Sequence, residues 1–329
     1  MPGAGDPGPG NHERSAEHVL SQLIWGYRLS QAIFVAARLG IVDLLADEAR
    51  SSDELASATG VDPSALHRLL MVLASAGLLR EVSPARFGIT PVGALLQKGK
   101  GLRDSAILAE LFWPAYAELL YTIRTGRSGF QRAYGMPIYD QLARNPEADA
   151  AYAARMTSAT RAMADALTRA YDFSGIRTVV DVGGGQGAFL GAILTAHPHL
   201  RGILFDRAPV VAGARDRFEA VGGDFFEGLP TGGDVYVLKW VLSEWADDRA
   251  VKILLNCRRA MSASGRVLVI DPLDLTSNEL FNLQMLVAWN GGRVRSQADL
   301  AALFQAADLR VERIIPTESE FSIVEGRAR

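Results

Sequence analysis

The first hundred residues repeat apolar side chains at helical spacing. Leu20, Leu23, Ile24, Tyr27 and Leu29 begin a stripe that continues through Ala32, Ile33, Val35 and Ala36 to Leu39, where Gly40 suits a helix C-terminus. Ser51 and Glu54 stand at capping-box spacing, so that each side chain can reach the other's backbone N–H. Asp62 before Pro63 fits an N-cap followed by proline in the first turn, where a missing N–H costs nothing. The next helix carries Leu66, Leu69, Leu70, Leu73 and Leu78, and 87–90 reads as a short strand after a turn. Helices followed by a small hairpin make a winged-helix pattern, which serves either DNA binding or chain association. A recognition helix needs several exposed Arg or Lys, and the segment 64–79 offers only His67 and Arg68. The first helix is instead apolar nearly all round, as burial against a partner chain requires. An oligomerisation domain is therefore expected over 15–100, with no nucleic-acid partner.

Residues 101–172 keep helical spacing but are interrupted by Phe112, Trp113, Tyr116, Tyr121, Phe130, Tyr134 and Tyr139, mostly as core and in a few cases as walls for a flat substrate. From Thr178 short apolar runs alternate with helical segments. Strands are expected at 178–184, 202–206, 218–224, 234–242 and 265–273, with 309–316 and 321–325 closing the chain. A helix over 247–261 shows Ala250, Ile253, Leu254, Cys257 and Met261 on one face. Such alternation over 173–329 predicts a seven-stranded, mostly parallel sheet with helices on both faces, in which ligands sit beyond the carboxyl ends of the strands.

Composition narrows the classes. With 49% hydrophobic and 22% charged residues, the 329-residue chain can bury the cores of two domains. A net charge of −3 carries no footprint of a nucleic-acid binder. A single cysteine, Cys257, excludes an internal disulfide framework and a cysteine-based zinc site, and points to a reducing, cytoplasmic setting. No apolar run is long enough to span a membrane. The Gly- and Pro-rich start has no secretory pattern, so 1–14 is expected to be a disordered tail.

The strand ends carry the chemistry. Val179-Val180-Asp181-Val182 runs straight into Gly183-Gly184-Gly185-Gln186-Gly187, and a helix from Ala188 to Ala196 follows. Glycines let the backbone approach a ligand closely, and the helix N-terminus favours a negative group; the bland alternative is a tight turn. The next strand ends in Asp206, placed to accept ribose hydroxyls. The third ends in Gly223-Asp224-Phe225, an acid for an adenine amino group beside a ring for its face; Asp224 could equally be a cap or turn residue.

These segments resemble the S-adenosylmethionine-dependent O-methyltransferases, a family that includes plant caffeate-type enzymes, acetylserotonin methyltransferases and actinobacterial polyketide-tailoring enzymes. The likeness runs from about residue 18 to the end. Its carriers are Leu39-Gly40-Ile41-Val42-Asp43, Asp181 to Gly185, Gly223 to Phe226, Leu238-Lys239-Trp240 with Glu244-Trp245, and Gly291-Gly292-Arg293-Val294-Arg295. The resemblance implies a homodimer formed through an all-α, winged-helix-like domain, followed by a Rossmann-like domain that binds S-adenosylmethionine or S-adenosylhomocysteine, with no metal. It implies that Asp181, Gly183 and Gly185 line the cofactor, that Asp206 takes the ribose, that Asp224 and Phe225 hold the adenine, and that Lys239 and Trp245 lie nearby.

The catalytic positions depart from the family. The family's basic histidine falls at Ser243, which has no appreciable basicity near neutral pH. Its orienting carboxylate falls at Asp271, which could accept a proton through water, and a second acid is replaced by Val294. None of the five histidines lies in these motifs, and His197 and His199 are expected at the surface. A phenol of pKa about 10 is roughly one part in a thousand ionised at pH 7, a deficit of about 4 kcal/mol. Proximity and orientation supply about 7–11 kcal/mol. Methyl transfer to a hydroxyl of a small aromatic or polyketide-type metabolite thus survives loss of the base. The alternative is a methyltransferase-fold enzyme that keeps the cofactor but catalyses a cyclisation, rearrangement, decarboxylation or hydroxylation; the anthracycline-tailoring branch, some members of which also lack the histidine and carry the Gly-Gly-Arg-Val-Arg form, holds both kinds. The segments between Asp206 and Phe218 and between Asp271 and Asn282 are also short. The expected substrate pocket is Trp113, Met136, Met156, Trp240, Met285, Trp289 and Asn290, with Arg295 either binding an anionic substrate or forming a structural ion pair.

Overall fold

The structure is a computed structural model and describes residues 15–100, 102–214, 218–273 and 279–329. The tail expected over 1–14 lies outside them, as do 215–217 and 274–278 in the two short segments noted above. The chain divides into two compact units, Met1–Ile107 and Leu108–Arg329.

In the first unit the apolar stripe forms two helices, Ala16–Ile24 and Tyr27–Leu39, because Trp25 and the poor helix former Gly26 interrupt it. Leu23, Ile24 and Tyr27 are exposed, whereas Ala36 and Ala37 are buried. Gly40 ends the second helix at φ +66°, a conformation that suits a residue without Cβ. The Ser51–Glu54 capping box closes in both directions, and Asp62 accepts from the Ala65 N–H at 2.7 Å. The unit is not all-α. Strands β1 (Arg50–Ser51), β2 (Leu79–Ser83) and β3 (Arg86–Ile89) form an antiparallel sheet in the order β1-β3-β2. This sheet brings Phe87 over Ile41, Leu55 and Leu70, an apolar surface that the helices alone leave open.

The second unit begins with helices, among them Ile138–Arg144 and Pro146–Ala170. Its sheet comprises β4 (Thr178–Val182), β5 (Arg201–Asp206), β6 (Glu219–Gly222), β7 (Val235–Lys239), β8 (Arg266–Asp271), β9 (Leu309–Pro316) and β10 (Ser322–Ala328), in the order β6-β5-β4-β7-β8-β10-β9. The first five strands are parallel. β10 runs antiparallel to both neighbours, since the short 317–321 link permits a hairpin but no crossover. Four strands, β4, β6, β7 and β8, stop earlier than their patterns suggest, two of them at a positive φ: β4 ends where Gly183 takes φ +69°, and β7 where Trp240 takes φ +59°. The helices Asp247–Ala260 and Gln297–Ala306 pack on the face bearing Val180, Val182 and Leu238. Ala188–Ala196 and the end of Pro146–Ala170 cover Val179, Leu204 and Val237. His197 is half-buried rather than superficial, packed on Phe173 at 4.9 Å, while His199 is exposed. The strand order reverses at β4, between β5 and β7, so a crevice opens at the carboxyl ends of these strands.

Candidate active site

That crevice is a cavity of about 580 Å³. β4 delivers the glycine turn to it. A Cβ on Gly183 would stand 2.9 Å from Val241, and one on Gly184 2.5 Å from the Asp181 carboxylate, so neither position tolerates a side chain without displacement. β5 delivers Asp206, whose Oδ2 accepts from the Gly185 N–H at 2.8 Å and whose Oδ1 accepts from the Arg207 N–H at 2.7 Å. These amides partly offset the burial that raises the carboxyl's pKa. The chain after β6 delivers Asp224, which does act as a turn residue, accepting from the Phe226 N–H at 2.8 Å, yet also lines the cavity. Phe225 and Phe226 meet Trp245 edge-on at 5.8 and 4.7 Å, and Arg249 covers Phe226 at 3.5 Å. β7 delivers Lys239, whose Nζ lies 4.1 Å from the Trp240 ring centre. Burial pushes the Asp181 carboxyl up and the Lys239 ammonium down, and the attraction between them opposes both shifts.

Asp181, Gly183, Gly185, Asp206, Asp224, Phe225, Lys239 and Trp245 all line this one cavity, as do Met156 and Trp240. The Asp181 Oδ2 and the indole nitrogens of Trp240 and Trp245 are buried without hydrogen-bond partners among the described residues. A wall of carboxylates with an unpaired oxygen and an aromatic corner fits a cationic ligand that carries hydroxyls and a flat base.

Other expected site residues lie elsewhere. Ser243 and Asp271 are buried and joined to each other, Oγ to Oδ1 at 3.1 Å, and neither is on the cavity wall. Burial raises the Asp271 carboxyl to about 7. Met285, in the helix Glu279–Ala288, and Trp289, just after it, are packed in a core with Phe112 and Phe130, because the apolar face of that helix needs an apolar partner. Asn290 accepts from the Ser128 N–H at 2.9 Å and donates to Gln131, which makes it a loop tie. Trp113 and Met136 are half-buried off the wall. Arg295 proves to be the structural ion pair: it is buried, donates to the carbonyls of Leu242 and Trp245, and holds Asp247 at 2.8 Å. Val294 is buried too, and its N–H donates to Asn282 at 2.9 Å.

The principal residue missed is Glu244. It sits in the quoted motif beside Trp245, lines the cavity, and accepts from the Tyr139 hydroxyl and, at 3.5 Å, from that of Tyr152. Burial raises its carboxyl to about 8. The only available signal was an acid in a motif; its tyrosine partners lie about a hundred residues away in the chain.

A cleft lined by strand-end carboxylates and a glycine turn, at the switch point of a mostly parallel sheet, defines a Rossmann-like enzyme that uses a nucleoside cofactor. Residues 116–310 match the profile of the O-methyltransferase domain, and 21–99 that of the O-methyltransferase dimerisation domain. The chain belongs to the S-adenosylmethionine-dependent O-methyltransferase family and is a methyltransferase of that kind. The phenazine O-methyltransferase PhzM of Lysobacter antibioticus is 41% identical over 326 residues, spanning 94% of this chain and 95% of the relative. The aclacinomycin 10-hydroxylase RdmB of Streptomyces purpurascens is 35% identical over 306 residues, spanning 84% and 80%. The crystal structure of LaPhzM matches with a TM-score of 0.91 at 39% identity, over 96% of this chain and 100% of that one. That of NcsB1 from neocarzinostatin biosynthesis, in complex with S-adenosylmethionine and 2-hydroxy-5-methyl naphthoic acid, matches with a TM-score of 0.83 at 33% identity, over 92% and 96%. Among the described residues no helix is long and apolar enough to cross a membrane, and no cluster of three or more His, Cys, Asp or Glu is placed to hold a metal.

Proposed function

We propose that the chain methylates a hydroxyl of a small aromatic or polyketide-type metabolite, working as a homodimer through its N-terminal domain. The observation that carries this is the single cavity in which the strand-end carboxylates and glycine turn adjoin a wall of Tyr139, Tyr152, Met156 and Trp240. Asp206 would hold the ribose, Asp224 with Phe225 the adenine, and the glycine turn with Asp181 the amino-acid end. When bound, S-adenosylmethionine supplies a methyl group on a sulfonium, so that the substrate oxygen gains the methyl, the carbon–sulfur bond breaks with its pair left on sulfur, and S-adenosylhomocysteine and a proton are released. Ser243, turned to Asp271 away from the wall, is unsuited to taking that proton, which supports a reaction driven by placement of the hydroxyl: about 7–11 kcal/mol from orientation outweighs a deficit of about 4 kcal/mol.

The test is incubation of the purified protein with S-adenosylmethionine and a panel of hydroxylated phenazines, naphthoates and benzoates. S-adenosylhomocysteine release with gain of one methyl by mass is expected. Tight cofactor binding without release from any panel member would overturn the proposal. A second reading, in which the cofactor is kept but no methyl leaves, draws support from Ser243 and from the likeness to a relative named as a hydroxylase. A product of unchanged methyl count, formed only with cofactor bound, would establish it.

A further inference from the structure

Orientation lowers the barrier but leaves the hydroxyl proton without a destination. We infer that Glu244, held between Tyr139 and Tyr152, is the proton acceptor for the substrate hydroxyl. The inference rests on the methyl-transfer reading above.

The geometry is built for a fixed carboxylate. Glu244 closes the short 3-10 turn Leu242–Glu244 that follows β7. The turn is fastened from outside the cavity, by Arg295 on the Leu242 and Trp245 carbonyls and by the Arg293 N–H on the Ser243 carbonyl at 2.8 Å. Ser243 therefore faces Asp271, while Glu244 lies on the cavity wall beside Lys239 and Trp240. Two phenol hydroxyls from separate helices donate to its two oxygens, Tyr139 to Oε2 and Tyr152 to Oε1, with their rings edge-to-face at 6.2 Å. Neither tyrosine competes for the proton, because burial and the adjacent carboxylate hold both phenols above their usual range.

The surrounding charges set the carboxyl's affinity. Burial is the largest influence and raises it to about 8, with Asp271 and Asp206 adding to the rise and the two tyrosine hydrogen bonds opposing it. Lys239 faces it from β7, Arg155 stands beside Tyr152, and Arg207 lies over the Tyr139 ring at 4.8 Å. A base with affinity near the working pH is the one best matched to general-base catalysis. The step balances. The O–H bond breaks, its proton goes to a Glu244 oxygen, and its electron pair stays on the substrate oxygen to form the new bond to carbon. The neutral acid then returns the proton to water. Taking up that proton also removes a buried charge, so the transfer runs with the desolvation cost rather than against it.

The test compares wild type, Glu244→Gln, Glu244→Asp and Tyr139→Phe in single turnovers, on phenols with pKa from about 7 to about 10 and between about pH 6 and pH 10. The wild-type rate should rise with pH through about 8, where Glu244 loses its proton. Glu244→Gln should lose about 10²–10³-fold on ordinary phenols but less than about fivefold on acidic ones, which ionise unaided. Glu244→Asp should recover part of the loss. Tyr139→Phe, which removes a hydrogen bond to the charged form, should move the rising limb to higher pH. With S-adenosylhomocysteine bound and no phenol present, the wild-type minus Glu244→Gln infrared difference should show a carboxyl titrating in the same range. Calorimetric affinity for S-adenosylhomocysteine confirms that the variants fold. An unchanged rate of Glu244→Gln on ordinary phenols, or no titrating carboxyl, overturns the assignment. If wild type methylates no phenol, the methyl-transfer reading falls and takes the assignment with it, whereas an active wild type whose Glu244 carboxyl does not titrate overturns the assignment alone.

Discussion

Replacing Arg295 by methionine separates a clamp from an anion-binding residue. Methionine keeps much of the length and apolar bulk of the stem but donates nothing. Two carbonyls, that of Leu242 in a buried bond and that of Trp245 in a part-buried one, lose their guanidinium donors, and an unsatisfied buried acceptor costs about 1–3 kcal/mol. Asp247 also loses a partner, but its side chain is 53% exposed and water replaces the contact, so this adds only about 0–1 kcal/mol. The expected destabilisation is therefore about 2–6 kcal/mol. For a unit of this size each kcal/mol moves Tm by about 2–4 °C, so calorimetry should show a fall of roughly 4–24 °C. The clamped turn carries Glu244, so kcat should fall as well, while KM for carboxylate-bearing and neutral substrates changes in parallel. A Tm within about 1 °C of wild type, together with a KM raised only for anionic substrates, would refute the clamp.

Three further outcomes follow from the same structure. Ser243→Ala should leave turnover within about threefold, because the hydroxyl is off the cavity wall, yet lower stability at pH 8 by about 1–3 kcal/mol through loss of its bond to buried Asp271; a hundredfold loss of turnover would contradict this. Asp271→Asn should stabilise the protein at alkaline pH. The folded carboxyl is raised from 3.8 to about 7, so its contribution is full below pH 4 and is lost as pH rises through 7. Thermal melts at pH 5 and pH 9 should show the variant gaining about 3 kcal/mol more relative to wild type at the higher pH, and equal gains at both would be inconsistent with a buried charge. Leu23→Asp, on a helix with no buried residue, should weaken a dimer by more than about a hundredfold, since each copy contributes about 1.5–3 kcal/mol of apolar burial; an unchanged sedimentation coefficient at low micromolar concentration would exclude this helix from the interface.

The features legible from sequence are those that short stretches of chain decide. A capping box closes over three residues, so Ser51 and Glu54 announce their helix. A strand that must stop for a glycine at φ +69° places Gly183, and the parallel order then puts Asp206 and Asp224 at neighbouring strand ends. The local pattern was less informative about apolar residues near the motifs. Met285 and Trp289 read as substrate contacts but serve as core, since an apolar side chain looks the same in sequence whether it meets a ligand or another helix.

The amino-acid order alone determined the two-part architecture, the alternation of strand and helix, and the glycine and carboxylate positions at the strand ends that line the cleft, because backbone sterics and hydrogen-bond periodicity act over a few residues. Only the tertiary structure decided that Ser243 turns to Asp271, that Arg295 clamps the turn carrying Ser243 and Glu244, and that Tyr139 and Tyr152 meet Glu244 across 105 and 92 residues. Such contacts depend on how distant helices pack against strand ends, and burial sets the charge state of the acid they enclose. Neither quantity leaves a local trace in the sequence.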